Sequence, residues 1–198
     1  MKVVDSPVFN AFALPGGIVY VNQGVIEQVS SESELVSVLG HEIGHVVGRH
    51  GANNFARYMS GSAILRETSM RTVGDEWPAT MVETLGATVV RPLLLKYSRE
   101  DELQADLLGY YNMQRAGWNP ASMITMFERM EKERSPSFGL DAIFNVLSTH
   151  PTASDRKAQV DKELSVAPPG AGLVDDSTEF RAIRAELRAL QRPARTGK

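Results

Sequence analysis

The chain has 198 residues, 42% of them hydrophobic, a formal net charge of −3 and no cysteine. That size and apolar share suit one sizeable core and argue against two independent domains. Acidic and basic residues are interspersed, which gives no sign of nucleic acid as a partner, and any metal must be held by histidine or carboxylate.

In chain order, Val8–Leu14 and Ile18–Asn22 read as two strands joined by Pro15-Gly16-Gly17, a turn signal with proline first and glycine free to take positive φ. A helix is expected from Ser31 to about His50. Ser31 and Glu34 form an S-x-x-E capping box, and Leu35, Leu39, Ile43 and Val46 recur at helical spacing as a buried apolar side. Residues 53–70 and 79–96 are expected helices around a break at Gly74-Asp75-Glu76. The run Met81–Leu95 contains Glu83, Arg91 and Pro92, and is too short and too charged to span about 30 Å of hydrocarbon. Arg99–Ala116 is the next helix, ended by Gly117 with Pro120 beyond. Pro120 opens a helix through Ala121–Glu133. Residues 135–152 are rich in loop signals, with a short helix near Asp141–Leu147, and Asp155–Leu164 is helical. Ala167–Gly172, rich in proline and glycine, is a linker. Asp176–Leu190 is an amphipathic helix with Phe180, Ile183, Leu187 and Leu190 on one side. The expected fold is α+β, mainly helical with a small sheet. The main domain covers 1–164, and 165–198 form a linker and a C-terminal helix packed on the same domain.

The helix from Ser31 carries His41-Glu42-Ile43-Gly44-His45. Two histidines four apart project from one helix face and offer two imidazoles to one metal ion, with the glutamate placed to work on a water there. An HExxH string alone also fits a surface helix that holds two histidines innocently. The wheel favours the metal: with His41 at zero, His45 falls at about 40° and Glu42 at about 100°, while Leu39, Ile43 and Val46 cluster near about 140–200°. On this wheel the histidines avoid the apolar face. Continued through the same helix, His50 falls at about 180°, beside the apolar residues. It reads as a packing or helix-end histidine, suited to the negative C-terminal end of the dipole and unable to share the metal. Gly40, Gly44 and Gly48 form a stripe flanking the histidines at a cost of about 1 kcal/mol each against alanine. Their expected purpose is the close approach of another backbone beside the metal.

A catalytic zinc takes three protein ligands and leaves the fourth position to water. Glu102 and Asp106, four apart, share a helix face. Glu102 can ligate while Asp106 accepts a hydrogen bond from the distal nitrogen of a ligand histidine. By spacing alone, a solvated acidic helix start explains the pair equally well. Glu100 and Asp101 belong to that start.

Several ordered blocks carry a resemblance. They are Asn10–Gly17 (NAFALPGG), His41–His50 (HEIGHVVGRH), Tyr97–Glu102 (YSREDE) with Ala105-Asp106, Ala116–Pro120 (AGWNP), and Ser148–Pro151 (STHP) with Arg156. Together they span residues 8 to about 156 and resemble the gluzincin metallopeptidases of the HtpX, BepA and CAAX-prenyl-endopeptidase family. The resemblance implies a zincin-like domain with one zinc per chain, bound by His41, His45 and Glu102. It implies Glu42 as the catalytic acid/base, Asp106 behind the ligands, and His150 and Arg156 lining the cleft. On residues alone His150 is an ordinary loop histidine. Within the resemblance it partners the developing oxyanion, with Arg156 near it in sequence, or closes the metal as a fourth ligand. The implied activity is an endopeptidase acting on unfolded or misassembled proteins, with the Ile18–Asn22 strand presenting an edge to an extended peptide. The alternative is a largely latent, chaperone-like or assembly-assisting protein that keeps the site; a structural zinc site is disfavoured because it has no use for Glu42. The chain departs from the family in lacking an upstream targeting or membrane-spanning segment, and in having no membrane helix between His45 and Glu102. No secretory apolar region follows Met1, which fits a cytosolic protein or the mature part of an exported precursor. The absence of cysteine is compatible with an oxidising compartment, and the expectation is a periplasmic or membrane-associated exported protein. Expected partners are protein or peptide substrates; the oligomeric state is not readable.

Overall fold

The computed structural model describes residues 1–57, 59–61, 97–132 and 153–190. The expected helix at 79–96, most of that at 53–70 and the 135–152 region with His150 lie outside these residues. Strands β1 (Lys2–Val4), β2 (Ala11–Ala13) and β3 (Val19–Asn22) form a sheet of order β1-β3-β2. β1 runs parallel to β3 and β2 antiparallel to it. β3 is therefore the central strand, and the expected edge at Ile18–Asn22 is corrected: both its sides are paired, and the outer strand of the hairpin is β2. Asn22 N–H bonds to Asn10 O and Leu14 N–H to Ile18 O, both 2.9 Å. By antiparallel alternation the main-chain groups of Ala11 and Ala13 then point away from β3. The hairpin turn is as its residues dictate. Gly17 N–H closes on Leu14 O at 3.0 Å, and Gly16 and Gly17 take φ of 101° and 89°. β1 and the short helix α1 (Gln23–Gln28) were not legible, since a three-residue parallel strand shows no alternation and a six-residue helix barely one turn of pattern.

Helix α2 (Glu32–Val47) is capped by Ser31, whose hydroxyl accepts from Glu34 N–H at 3.2 Å. The reciprocal half of the expected capping box is absent. The Glu34 carboxylate instead accepts from Ser30 N–H at 2.7 Å and pairs with Arg129. Helix α3 (Arg99–Arg115) carries a complete box between Ser98 and Asp101. It ends at Gly117, with φ of 83° and Trp118 N–H returning to Met113 O at 2.9 Å. α4 (Ser122–Lys132), α5 (Ala153–Val166) and α6 (Thr178–Leu190) follow. The core gathers Val21 and Val25 from the sheet side with Tyr110, Met113, Met126 and Phe127 from α3 and α4. α6 docks through Phe180 and through arginines that cap carbonyls around the end of α1. Arg184 donates to Val29 O at 2.6 Å and Ser30 O at 2.9 Å, and Arg188 to Glu27 O at 2.7 Å. Ile183 on its expected apolar side is exposed. No helix among the described residues is long and apolar enough to cross a membrane.

The most buried face of α2 is largely polar. Ser33, Glu34, Ser37, Val38, Gly40, His41, Glu42, Gly44 and His45 are buried, whereas Leu35 and Leu39 are half-buried against the core and Ile43 is 44% exposed. The cause is the packing of α2 on α3. A Cβ built on Gly44 would stand 2.4 Å from Ala105 O and 2.8 Å from its Cα, and one on Gly109 would stand 3.0 Å from Gly40 C. The helices cross with backbones in contact, which only glycine permits, and a larger apolar stripe has no room between them. The expected close approach thus holds for Gly40 and Gly44. Gly48 faces the His50 ring instead, at 2.3 Å from a built Cβ to Nε2. Gly44→Ala should therefore lower stability by about 1–3 kcal/mol as an overpacked core position. Thermal unfolding should show a Tm fall of roughly 2–4 °C per kcal/mol. Gly170→Ala, with no atom within 4 Å of the new Cβ, should leave Tm unchanged; equal behaviour of the two would refute the backbone contact.

Candidate metal centre

The α2–α3 crossing sets two i, i+4 pairs against each other: His41 and His45 on α2, Glu102 and Asp106 on α3. All four are buried. His41 Nε2 and His45 Nε2 lie 3.0 Å apart, and Glu102 oxygens stand 3.5 Å from the first and 3.4 Å from the second. His41, His45 and Glu102 form a group whose ligand atoms all fall within 4.8 Å of one another. A tetrahedral zinc with bonds of about 2.0–2.1 Å holds its donors roughly 3.3 Å apart. The three spacings match that edge, and two imidazoles with one carboxylate suit zinc chemically, so the residues fit the ion. Glu42, next along the helix from His41, is buried beside them.

Behind the three donors stands a charged support. His41 Nδ1 lies 2.8 Å from Asp106 Oδ1, a geometry that would leave Nε2 free to face a metal. Arg156 grips Asp106 with both arms, Nε to Oδ2 at 2.6 Å and Nη2 to Oδ1 at 2.8 Å, and reaches Glu102 Oε2 with Nη1 at 3.1 Å. Burial pushes the Asp106 carboxyl up, but the Arg156 guanidinium and His41 outweigh it and hold it below its ordinary value. Arg156 is only 2% exposed and lies 4.7 Å from the Phe127 ring centroid. It arrives on α5 and braces the carboxylates of α3, with Nη2 also 3.1 Å from His41 Nδ1 and 3.4 Å from His41 Nε2.

Two further residues were given no role in the sequence. Tyr97 stacks on the His45 ring, with centroids 3.9 Å apart and planes at 18°. Burial, with the Glu42 and Glu102 carboxylates nearby, pushes its phenol up, so it stays protonated. His50 overturns the helix wheel. α2 stops at Val47, Gly48 caps it, and Arg49 turns left-handed at φ 57°. His50 is swung back into the site, 1% exposed, with its Nδ1 at 2.8 Å from His45 Nδ1. The wheel failed because it was extended past the end of the helix. His45, Arg49, Gly51 and Tyr97 line one side of a cleft of about 360 Å³; the β2–β3 turn, from Ala13 to Gly17, lines the other.

A buried HExxH helix crossed by a second helix that supplies a carboxylate is the layout of a metal-dependent peptidase domain. The profile of peptidase family M48 matches residues 1–164, and the chain belongs to that family. It is 34% identical over 154 residues to the mitochondrial metalloendopeptidase OMA1 of Arabidopsis thaliana, covering 78% of this chain and 29% of that protein. The OMA1 of Schizosaccharomyces pombe is 32% identical over 169 residues, 84% of this chain and 47% of the relative. The β-barrel assembly-enhancing protease of Escherichia coli is 27% identical over 199 residues, 98% of this chain and 39% of the relative. The chain thus spans less than half the length of each of these relatives.

If Arg156 is a brace, its loss is first a loss of stability. Arg156→Met leaves two buried carboxylates without their shared cation and should cost about 3–5 kcal/mol. Urea unfolding of the metal-free protein is the measurement, and an unchanged midpoint would refute the brace.

Proposed function

We propose that the protein is a zinc-dependent endopeptidase in which His41, His45 and Glu102 hold the metal and Glu42 is the catalytic acid/base. The observation that supports it most is the convergence of the three donors at tetrahedral spacing beside Glu42. When bound, zinc would supply the Lewis acidity that makes water nucleophilic near neutral pH. Glu42 takes the proton of the attacking water and delivers it to the leaving amine. Asp106 keeps the His41 proton on Nδ1. His150 is the proposed partner of the oxyanion, or a fourth ligand that closes the site at rest.

The substrate is an extended segment of an unfolded or misassembled protein. Its support is the outer side of β2 at Ala13, which is half-buried, has its main-chain groups turned away from β3, and lines the same cleft as His45. Such an edge reads backbone rather than side chains, which suits substrates defined by lack of fold. A periplasmic or membrane-associated exported location is part of the same proposal. Its support is the likeness to the β-barrel assembly-enhancing protease; fractionation of cells expressing the full-length protein checks it, and a purely cytosolic signal would refute it.

One panel of variants tests the chemistry, with zinc content and casein cleavage read together. His41→Ala, His45→Ala and Glu102→Ala should lose zinc. Glu42→Gln should keep zinc and lose turnover, and wild-type turnover in that variant would sink the mechanism. Asp106→Asn should weaken zinc affinity or rate roughly 10–100-fold. His150→Ala should keep zinc and change the rate. The change is a fall of roughly 10²–10³ if the residue serves the oxyanion, and a rise if it closes the metal; wild-type kinetics would remove it from the site.

A further inference from the structure

The proton of a ligand histidine must sit on the nitrogen that faces away from the metal, and something must hold it there. For His41 that group is Asp106. For His45 the sequence offered no counterpart, since no carboxylate is spaced for it. His45 presents Nε2 to His41 Nε2 and to Glu102, so its Nδ1 carries the proton and points to the rear. There it meets His50 Nδ1 at 2.8 Å. Two protonated nitrogens cannot share a hydrogen bond, so His50 must accept on Nδ1 and carry its own proton on Nε2. The surroundings of His50 Nε2 agree. It lies 2.8 Å from Gln104 Oε1 and 3.6 Å from Asp101 Oδ1, both acceptors.

Resting on the zinc reading above, we propose that His50 is the positioning residue for the second metal ligand. His45 Nδ1–H donates to His50 Nδ1, and His50 Nε2–H donates to Gln104 on α3. Three local features serve this placement. Gly48 leaves the space that the His50 ring fills, since a Cβ there would stand 2.3 Å from His50 Nε2. Arg49 takes the left-handed backbone at φ 57°, which is strained for a non-glycine residue and persists only where the surroundings impose it. Tyr97 closes the free face of His45 by stacking on it at 3.9 Å and meets the His50 ring edge-on at 6.2 Å. A histidine that only filled space at a helix end would need neither the turn nor a polar partner on each nitrogen.

The test separates metal affinity from folding. Zinc affinity is measured on the full chain by competition with a chromophoric chelator, the geometry by the visible spectrum of the cobalt-loaded protein, and folding by thermal unfolding without metal. His50→Leu removes the acceptor and should weaken zinc binding roughly 10–100-fold and alter the cobalt bands. His50→Asn places an amide oxygen near the position of Nδ1 and should recover most of the affinity. Gln104 is exposed on α3, so Gln104→Leu should fold normally; by freeing the His50 tautomer it should weaken zinc several-fold. This last variant decides the matter if His50→Leu fails to fold. Wild-type affinity and cobalt spectrum in a folded His50→Leu, or in Gln104→Leu when His50→Leu does not fold, would overturn the proposal while leaving the zinc site intact. A wild-type chain that binds no zinc, or a His41→Ala chain that binds it equally well, would overturn the zinc reading itself.

Discussion

Everything in the site depends on how near α2 and α3 approach. Gly40 and Gly44 on one helix meet Ala105 and Gly109 on the other with backbone against backbone. At that separation the side chains flanking the contact, His41 and His45 on one side and Glu102 and Asp106 on the other, are the right length to meet. With a larger residue at Gly44 the axes move apart, and donors now 3.0–3.5 Å from one another lose the spacing that a single ion requires. Each glycine weakens its helix by about 1 kcal/mol against alanine, and the convergence of the four side chains offsets that weakness in function.

The same crossing concentrates charge where water is scarce. Among the described residues, Glu42, Glu102 and Asp106 bring three carboxylates into one buried cluster, and Arg156 brings one cation. Buried ions are costly unless paired with good geometry, and Arg156 meets that condition by binding Asp106 through two nitrogens and Glu102 through a third. One guanidinium does not balance three carboxylates. A divalent cation held by Glu102 and the histidines does, and the balance favours metal occupancy independently of any catalytic argument.

How far the site was legible follows from the range of each interaction. His41 and His45 stood out because i, i+4 spacing on a helix is local information; the same spacing left Glu102 and Asp106 undecided, and the resemblance singled them out. The crossing that joins the two pairs was readable only as a stripe of glycines wanting a neighbour. The apolar periodicity of α2 held for Leu35 and Leu39, which pack on the core, and misled at Ile43, because the helix turns its glycines and histidines toward α3 there. Strand order is a long-range property, so β3 was taken for an edge although β1 and β2 both pair with it. Arg156 was found, but nothing in the spacing of α5 told that it would bind Glu102 and Asp106 of α3. His50 shows the sharpest limit: a single left-handed residue, Arg49, turned it from the far side of the wheel to the back of a ligand.

The two histidines proposed as ligands are supported by unlike partners, and the difference has chemical weight. His41 leans on a carboxylate, which raises the donor strength of its Nε2. His45 leans on an imidazole and then an amide, with the Asp101 carboxylate reached only beyond that ring, 3.6 Å from His50 Nε2. With its carboxylate one ring further away, His45 would donate less charge than His41, and an ion at this centre would keep more of its Lewis acidity than between two histidines backed directly by carboxylates. Positioning is thus partly separated from charge donation: Asp106 would do both for His41, and His50 chiefly the first for His45. For a centre that must both stay bound and polarise water, that division is the simplest way to hold the second ligand rigid without quenching the metal.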